Sequence, residues 1–245
     1  MGRAPPPEYA DALRREEAFD GSLRPRDLDE FVGQAAVVDN VRLAVRAARG
    51  RGEAVDHVLL SGLPGLGKTT LAHIVARESE AHLHEAAAPT LQRAADLAGI
   101  LTRLEAGDVL FIDEVHRLPT GVEEYLYAAM EDFVLDIMID HGAAARSVRL
   151  DLPRFTLIGA TTREGLLTAP FRSRFGIHER LEPYAVEELA SIVRRSAEIL
   201  AVAIDDEAAT LLASRARGTP RVANRFLKRV RDLAQVEANN YISPA

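Results

Sequence analysis

Cysteine is absent from the 245 residues of this chain, which excludes a disulfide framework and any thiolate metal site. That absence suits a reducing interior, and a cytoplasmic address is the expectation. Long apolar runs are missing as well. No stretch approaches the roughly 18 to 20 residues that crossing a bilayer takes, and the start, MGRAPPPEYADALRREEAF, lacks the apolar centre of a secretory signal, so no membrane association is expected. Gly2 is followed at Pro6 by a residue that an N-acylation motif does not accept. Positive charge is in deficit: 30 basic residues face 37 acidic ones, a formal net charge of -7. The whole-chain field therefore repels nucleic acid, and any DNA contact has to be local. The seven histidines fall in no HExxH or comparable spacing, and neither a Ser-His-Asp set nor a glycosidase carboxylate pair stands out.

What is there is enough apolar material, 47% of the residues, to bury a sizeable core and divide into one large and one small domain. Residues 1–20 are Pro-rich and then heavily charged, which favours a mobile arm. From Asp56 onward short apolar runs (HVLLSG, HLHEA, VLFIDE, FTLIGATT) alternate with helical stretches such as KTTLAHIVARES. VLLS, VLFI and FTLIGA are apolar along their whole length, as strands covered on both faces of a parallel sheet tend to be. The fold class is therefore α/β, a parallel sheet flanked by helices. DFVLDIMIDHGAAARSVRLDLPRF, between the second and third of these runs, reads as two alternating strands around a glycine, an inserted hairpin over about 133–152. After Tyr184 strands are expected to stop and a small all-α domain, 185–245, to follow. There Leu189, Ile192, Val193, Ser196 and Leu200 share a face, and Leu211 with Leu212 mark a second helix. A third is predicted to begin with Thr219 as N-cap and Pro220 at its first position, turning Val222, Phe226, Val230 and Leu233 inward.

GLPGLGKT, from Gly62 to Thr69, has phosphate-loop spacing between an apolar strand and an amphipathic helix. Gly62, Gly65 and Gly67 let main-chain N–H groups converge on phosphate oxygens at a helix N-terminus. Lys68 adds a point charge toward the β and γ phosphates, the Thr69 hydroxyl ligates Mg²⁺, and Thr70 donates to an adjacent phosphate. VLFIDE ends in Asp113, placed to hold Mg²⁺ through water, and Glu114, placed to orient and deprotonate an attacking water. FTLIGATTREGLLTAPFRSRFG offers Thr161 or Thr162 to place that water or touch the γ-phosphate. It also offers two arginines, Arg172 and Arg174, of which one can act as an arginine finger on a neighbouring subunit's nucleotide. His116, two residues after Glu114, could lie near the γ-phosphate, but reads first as a structural histidine. RARGTPRVANRFLKRVRD carries seven basic residues against one acid. Most of that charge reads as a solvated helix face, but Arg221, in a first helical turn just after Gly-Thr-Pro, is placed to be aimed at a nucleotide held between the domains.

LRPRDLDEFVGQ, GLPGLGKTTLAHIVARE, VLFIDEVHRL, YAAMEDFVLDIMI, AARSVRLDLPRFTLIGATTREGLLTAPFRSRFGI and RGTPRVANRFLKRVRD together resemble successive segments of the RuvB family of AAA+ ATPases, bacterial motors of Holliday-junction branch migration in recombination, repair and the SOS response. The resemblance runs from about Leu23 onward. It implies a large AAA+ domain at 21–184, a lid at 185–245, and ATP or ADP with Mg²⁺ as cofactors. It also implies Leu23 and Arg24 at the adenine end with Tyr184 and Arg221, Glu131, Asp132 and Phe133 near a nucleotide site across a subunit boundary, and Arg174 as the finger. A finger supplied in trans implies a head-to-tail ring, hexameric in the family. The hairpin is then the dock for RuvA, with Val134, Ile137, Met138 and Ile139 as candidates, and RuvC joins the larger assembly. The turn Asp140-His141-Gly142-Ala143 departs from the Gly-Glu-Gly-Pro common in the family. The family continues into a winged helix with the main DNA contacts, which this sequence is expected to lack. A clamp-loader-like or protein-remodelling AAA+ ATPase, and a non-hydrolysing nucleotide-gated scaffold, are the competing functions.

Overall fold

The structure, a computed structural model, describes residues 19–138 and 147–244. These form two compact units: Gln34–Glu182, and Pro183–Ala245 with the residues up to Gly33. The stretch from Leu23 to Gly33, expected to open the large domain, thus groups with the helical unit. The reason is visible in its bonds. The Arg195 guanidinium donates to Leu23 O at 2.9 Å and pairs with Glu30 at 2.7 Å.

In the first unit, helix α1 (Ala35–Arg51) precedes strand β1 (Val58–Ser61) and helix α2 (Lys68–Glu78). Then come β2 (Leu83–Ala87), α3 (Ala94–Leu101), β3 (Val109–Asp113) and α4 (Thr120–Glu131). The hairpin strands β4 (Val134–Met138) and β5 (Ser147–Asp151) lead to β6 (Thr156–Thr161), a single turn α5 (Ala169–Arg172) and β7 (Ile177–Arg180). The sheet has the order β2-β3-β6-β1-β7, every pairing parallel. The runs read as doubly covered are buried throughout: all of β1 and β6, and β3 as far as Ile112. The register sets Ser61 beside Thr161 and Arg180, and Ile112 beside Gly159, so the carboxyl ends of β1, β3 and β6 finish together. In open α/β sheets that edge is where ligands bind.

Under the sheet, Phe155, Phe171 and Phe175 pack with Leu97, Leu101, Leu110 and Leu126. His57, 8% exposed, is part of the same interior. Its Nδ1 accepts from the Leu157 amide at 2.8 Å, leaving Nε2–H to donate to Met130 O at 3.1 Å. Burial is the main reason its pKa lies below the ordinary value, so it is a neutral buckle between β6 and the end of α4.

The hairpin forms as expected, with β4 antiparallel to β5 and Ile137 opposite Val148. Its root belongs to the unit's own core, since Leu135 and Leu152 are buried and Phe133 and Leu150 pack against the same cluster. Val134 lies instead on the alternate face with Asp136, whose carboxylate takes both a 3.0 Å and a 2.9 Å hydrogen bond from Arg149. Ile139 and the turn from Asp140 to Ala143 lie outside the described residues, as do residues 1–18 of the N-terminal arm and the side chains of Ile137 and Met138.

The second unit is built on α6 (Val186–Ile199), α7 (Asp206–Arg215) and α8 (Pro220–Glu237). Strands do not stop altogether, because Ala203–Ile204 and Tyr241–Ile242 form a short parallel ladder. On α6 the expected face holds: Leu189, Val193 and Ser196 are buried, and the Ser196 hydroxyl bonds Asn224 at 2.9 Å. On α8 the phase differs from the prediction. The buried residues are Ala223, Leu227 and Ala234, while Phe226 and Leu233 are 38% and 55% exposed. Packing through alanines lets the neighbouring helices approach closely, and this outweighs the larger side chains one position away. Thr219 starts the helix without a side-chain cap. Among the described residues no helix is long and apolar enough to cross a membrane.

Candidate functional site

The loop after β1 is shaped by its glycines. Gly62, Gly65 and Gly67 have φ of 139°, 79° and 109°, values that L side chains rarely adopt. A Cβ on Gly62 would stand 2.5 Å from Leu181 O. The loop feeds α2, whose N-terminus has no side-chain cap and no acid in its first turn. A helix N-terminus whose capping residue supplies no side-chain acceptor, at the positive end of a helix dipole, suits an anion. Lys68 is 7% exposed, and its ammonium donates to Gly62 O at 2.8 Å and Leu63 O at 2.9 Å, so it is held over the loop it would serve. Thr69 and Thr70 follow on the first turn, both half-buried.

At the end of β3, Asp113 accepts from the Glu114 amide at 2.9 Å. Glu114 itself adopts a left-handed φ of 51°, an uncommon conformation for a non-glycine residue and one that collects at functional sites. Its carboxylate crosses to the end of β6, where the Thr162 hydroxyl donates at 2.9 Å and the Thr162 amide at 3.3 Å. Thr161 is fully buried and receives the Arg163 amide at 3.0 Å. It also meets His116 Nδ1 at 2.9 Å, and the same ring nitrogen lies 3.1 Å from Glu114. The fold places His116 against the acid that would handle the attacking water, and its position two residues beyond Glu114 was the available signal.

Arg174 stands at a second place on this unit. Its guanidinium carbon lies 4.0 Å from the centre of the Tyr127 ring. One Nη donates to Pro170 O at 2.5 Å and the other to Glu131 at 3.2 Å. Tyr127 in turn donates to Glu123, which also accepts from Thr168 at 2.5 Å. Burial, followed by the bond to Glu123, raises the Tyr127 pKa above the ordinary phenol value. Tyr127 and Glu123 were not singled out from sequence, because a lone aromatic on an amphipathic helix looks like core. Asp132 ends α4, and Phe133, with φ of 53°, carries Arg154 over its ring at 4.8 Å.

The remaining candidates lie in the helical unit. Leu23 and Tyr184 are buried, at 3% and 7% exposure, and Arg24 is half-buried. Tyr184 closes over Gly33, where a Cβ would approach its ring to 2.8 Å, and its amide donates to Gly218 O at 3.0 Å. Arg221 is largely exposed and lies 3.5 Å from Asp20. Among the described residues no group of three or more His, Cys, Asp or Glu could form a metal cage by itself.

Comparison with known proteins places the fold. Residues 23–181 match the model of the Holliday junction DNA helicase RuvB P-loop domain, and residues 184–245 that of the RuvB AAA lid domain. The Holliday junction branch migration complex subunit RuvB of Myxococcus xanthus is 59% identical over 233 residues, 95% of this chain and 68% of that protein. The solved Thermotoga maritima RuvB Holliday junction branch migration motor is 52% identical with a TM-score of 0.82, over 91% of this chain and 70% of its own. A single-substitution variant of the same protein superposes with a TM-score of 0.83 at 52% identity, over 90% of this chain and 70% of its own. The chain, a P-loop AAA+ domain with a helical lid, belongs to the RuvB family.

Proposed function

We propose that this chain is an ATP-driven motor subunit of Holliday-junction branch migration, and that its Gly62–Thr70 loop binds the triphosphate that powers it. The observation that carries the reading is the meeting, at one sheet edge, of an uncapped helix N-terminus, Lys68, and the Asp113, Glu114 and Thr162 cluster. Gly65 and Gly67 supply main-chain donors, with Lys68 and Thr70 beside them, while Gly62, whose own amide donates to Thr161 O at 3.2 Å, shapes the turn. Thr69 and Asp113 are too few oxygens for a dedicated cage, which fits Mg²⁺ that keeps waters and shares the nucleotide's phosphates. Glu114 is the general base, Thr162 and Thr161 set its carboxylate and the water, and Arg174 is the finger for the next subunit's ATP. Leu23, Arg24, Tyr184 and Arg221 contact the base and sugar end, with Glu131, Asp132 and Phe133 near the trans site.

A finger acting in trans calls for a head-to-tail ring, hexameric by family pattern, working with RuvA on junction DNA and with RuvC in the larger assembly, in the cytoplasm. The β4–β5 hairpin is the RuvA dock, and Ile137→Asp abolishes the measured interaction if so. A clamp-loader-like ATPase would not need that dock, and a non-hydrolysing scaffold would not need Glu114. Titration of Mg-ATP and steady-state turnover test the site: Lys68→Ala loses nucleotide affinity, whereas Arg174→Ala retains ATP and hydrolyses it slowly. Equal turnover in both variants and the wild type refutes the assignment.

A further inference from the structure

We infer that Tyr127 is a positioning residue for Arg174: its ring fixes the plane of the guanidinium and leaves hydrogen-bonding edges of that group available for a phosphate. This rests on the reading of Arg174 as the finger and adds what holds it.

Three observations on α4 and α5 support the inference. The guanidinium lies over the ring at 4.0 Å, close range for an attraction between a cation and an aromatic face. That attraction consumes none of the five N–H donors of arginine. The Arg174 Nε is enclosed, but each Nη carries two N–H donors and bonds one acceptor here, Pro170 O or Glu131, so these polar neighbours do not saturate the outer edge of the fork. The second observation concerns the salt bridge to Glu131. The acid's side chain is 54% exposed against 17% for the arginine's, and a pair open to solvent on the acid's side is screened and yields more readily than an enclosed one. Glu131 is therefore a releasable anchor, and the ring is the permanent one.

Third, the ring cannot drift. The Tyr127 hydroxyl donates to Glu123, a carboxylate only 8% exposed, and Thr168 binds the same oxygen at 2.5 Å. Thr168 also caps α5, the turn that ends just before Arg174, accepting from the Phe171 amide at 3.3 Å. Phe171 meets the Tyr127 ring with centroids 5.9 Å apart. The helix that supplies the platform and the turn that leads to the arginine are thus locked through one hydroxyl. A guanidinium held flat in advance loses less freedom when it meets a phosphate, and misplacement by about 1 Å at such a centre can cost on the order of 100-fold in rate.

A double-mutant cycle in the full chain, read by steady-state ATP turnover, tests this. Tyr127→Leu is expected to lower kcat ~10- to 100-fold while KM for Mg-ATP moves less than about twofold, because the group lost acts only in the transition state. In an Arg174→Ala background the same change is expected to lower kcat less than about twofold. Tyr127→Phe, which keeps the ring, recovers most of the loss. A series of fluorinated phenylalanines at 127 preserves size while draining the ring face of negative potential. Turnover should fall with each added fluorine.

Flat turnover across that series, or losses from Tyr127→Leu and Arg174→Ala that multiply, would overturn the positioning role and leave Tyr127 as packing. Full turnover in Arg174→Ala alone would instead overturn the finger reading beneath it, so the two failures are distinguishable.

Discussion

Helices α2 and α8 are each buried along one face, yet only α2 is legible from its large apolar residues. In α2, Leu71, Ile74 and Val75 are buried at the positions that helical spacing selects. In α8 the buried set is Ala223, Leu227 and Ala234, and Phe226, Leu233 and Val236 point to solvent, the last 83% exposed. The difference lies in what each helix packs on. A helix laid on a sheet meets a broad apolar surface and buries its largest side chains. A helix packed among helices gains from close approach, and small residues at the contact permit it.

The comparison can be broken or sharpened by substitution. The largest effects belong to the sheet edge, where packing and chemistry coincide. Glu114→Gln is expected to keep Mg-ATP affinity and lose ~100- to 10,000-fold in kcat, measured by turnover beside nucleotide titration. Next comes the α8 phase: Leu227→Ala should cost about 2–5 kcal/mol, whereas Phe226→Ala and Leu233→Ala should each stay within about 0.5 kcal/mol in denaturant unfolding. Similar costs for all three would mean that α8 is rotated from its described face. Gly62→Ala, forced against Leu181 O at 2.5 Å with a left-handed φ, should lower stability by about 1–3 kcal/mol. It should weaken nucleotide binding as well.

The smallest effect is pH-dependent. The His57 pKa is depressed below 6.5 by burial, so the unfolded chain binds more protons as the solution acidifies. Its contribution to stability is complete above about pH 6.5 and is lost as pH falls toward the folded value. His57→Gln should flatten the slope of unfolding free energy between about pH 7 and 5, relative to the wild type.

Much of the sheet and its edge could be read directly. VLLS, VLFI and FTLIGA are buried because parallel strands are covered on both faces, and GLPGLGKT needs its glycines for φ values that few other residues tolerate. The parts that sequence reasoning missed depend on pairs distant along the chain. Tyr127 meets Arg174, and His116 meets Thr161, only after the sheet has brought their elements together. The bond between Leu23 and Arg195, 172 residues away, is likewise a contact no local pattern announces. On α8, alternative apolar stripes sat one position apart, and composition alone could not choose between them.

The central claim is that ATP held by the Gly62–Thr70 loop of one subunit is cleaved with the arginine of another, and mixing two crippled chains tests it most directly. Glu114→Gln retains the finger and lacks the base; Arg174→Ala retains the base and lacks the finger. The account predicts that each alone hydrolyses ATP at a few per cent of the wild-type rate or less, and that an equal mixture recovers a substantial part of it. A mixture no faster than its components, beside an Arg174→Ala chain as active as wild type, would contradict it.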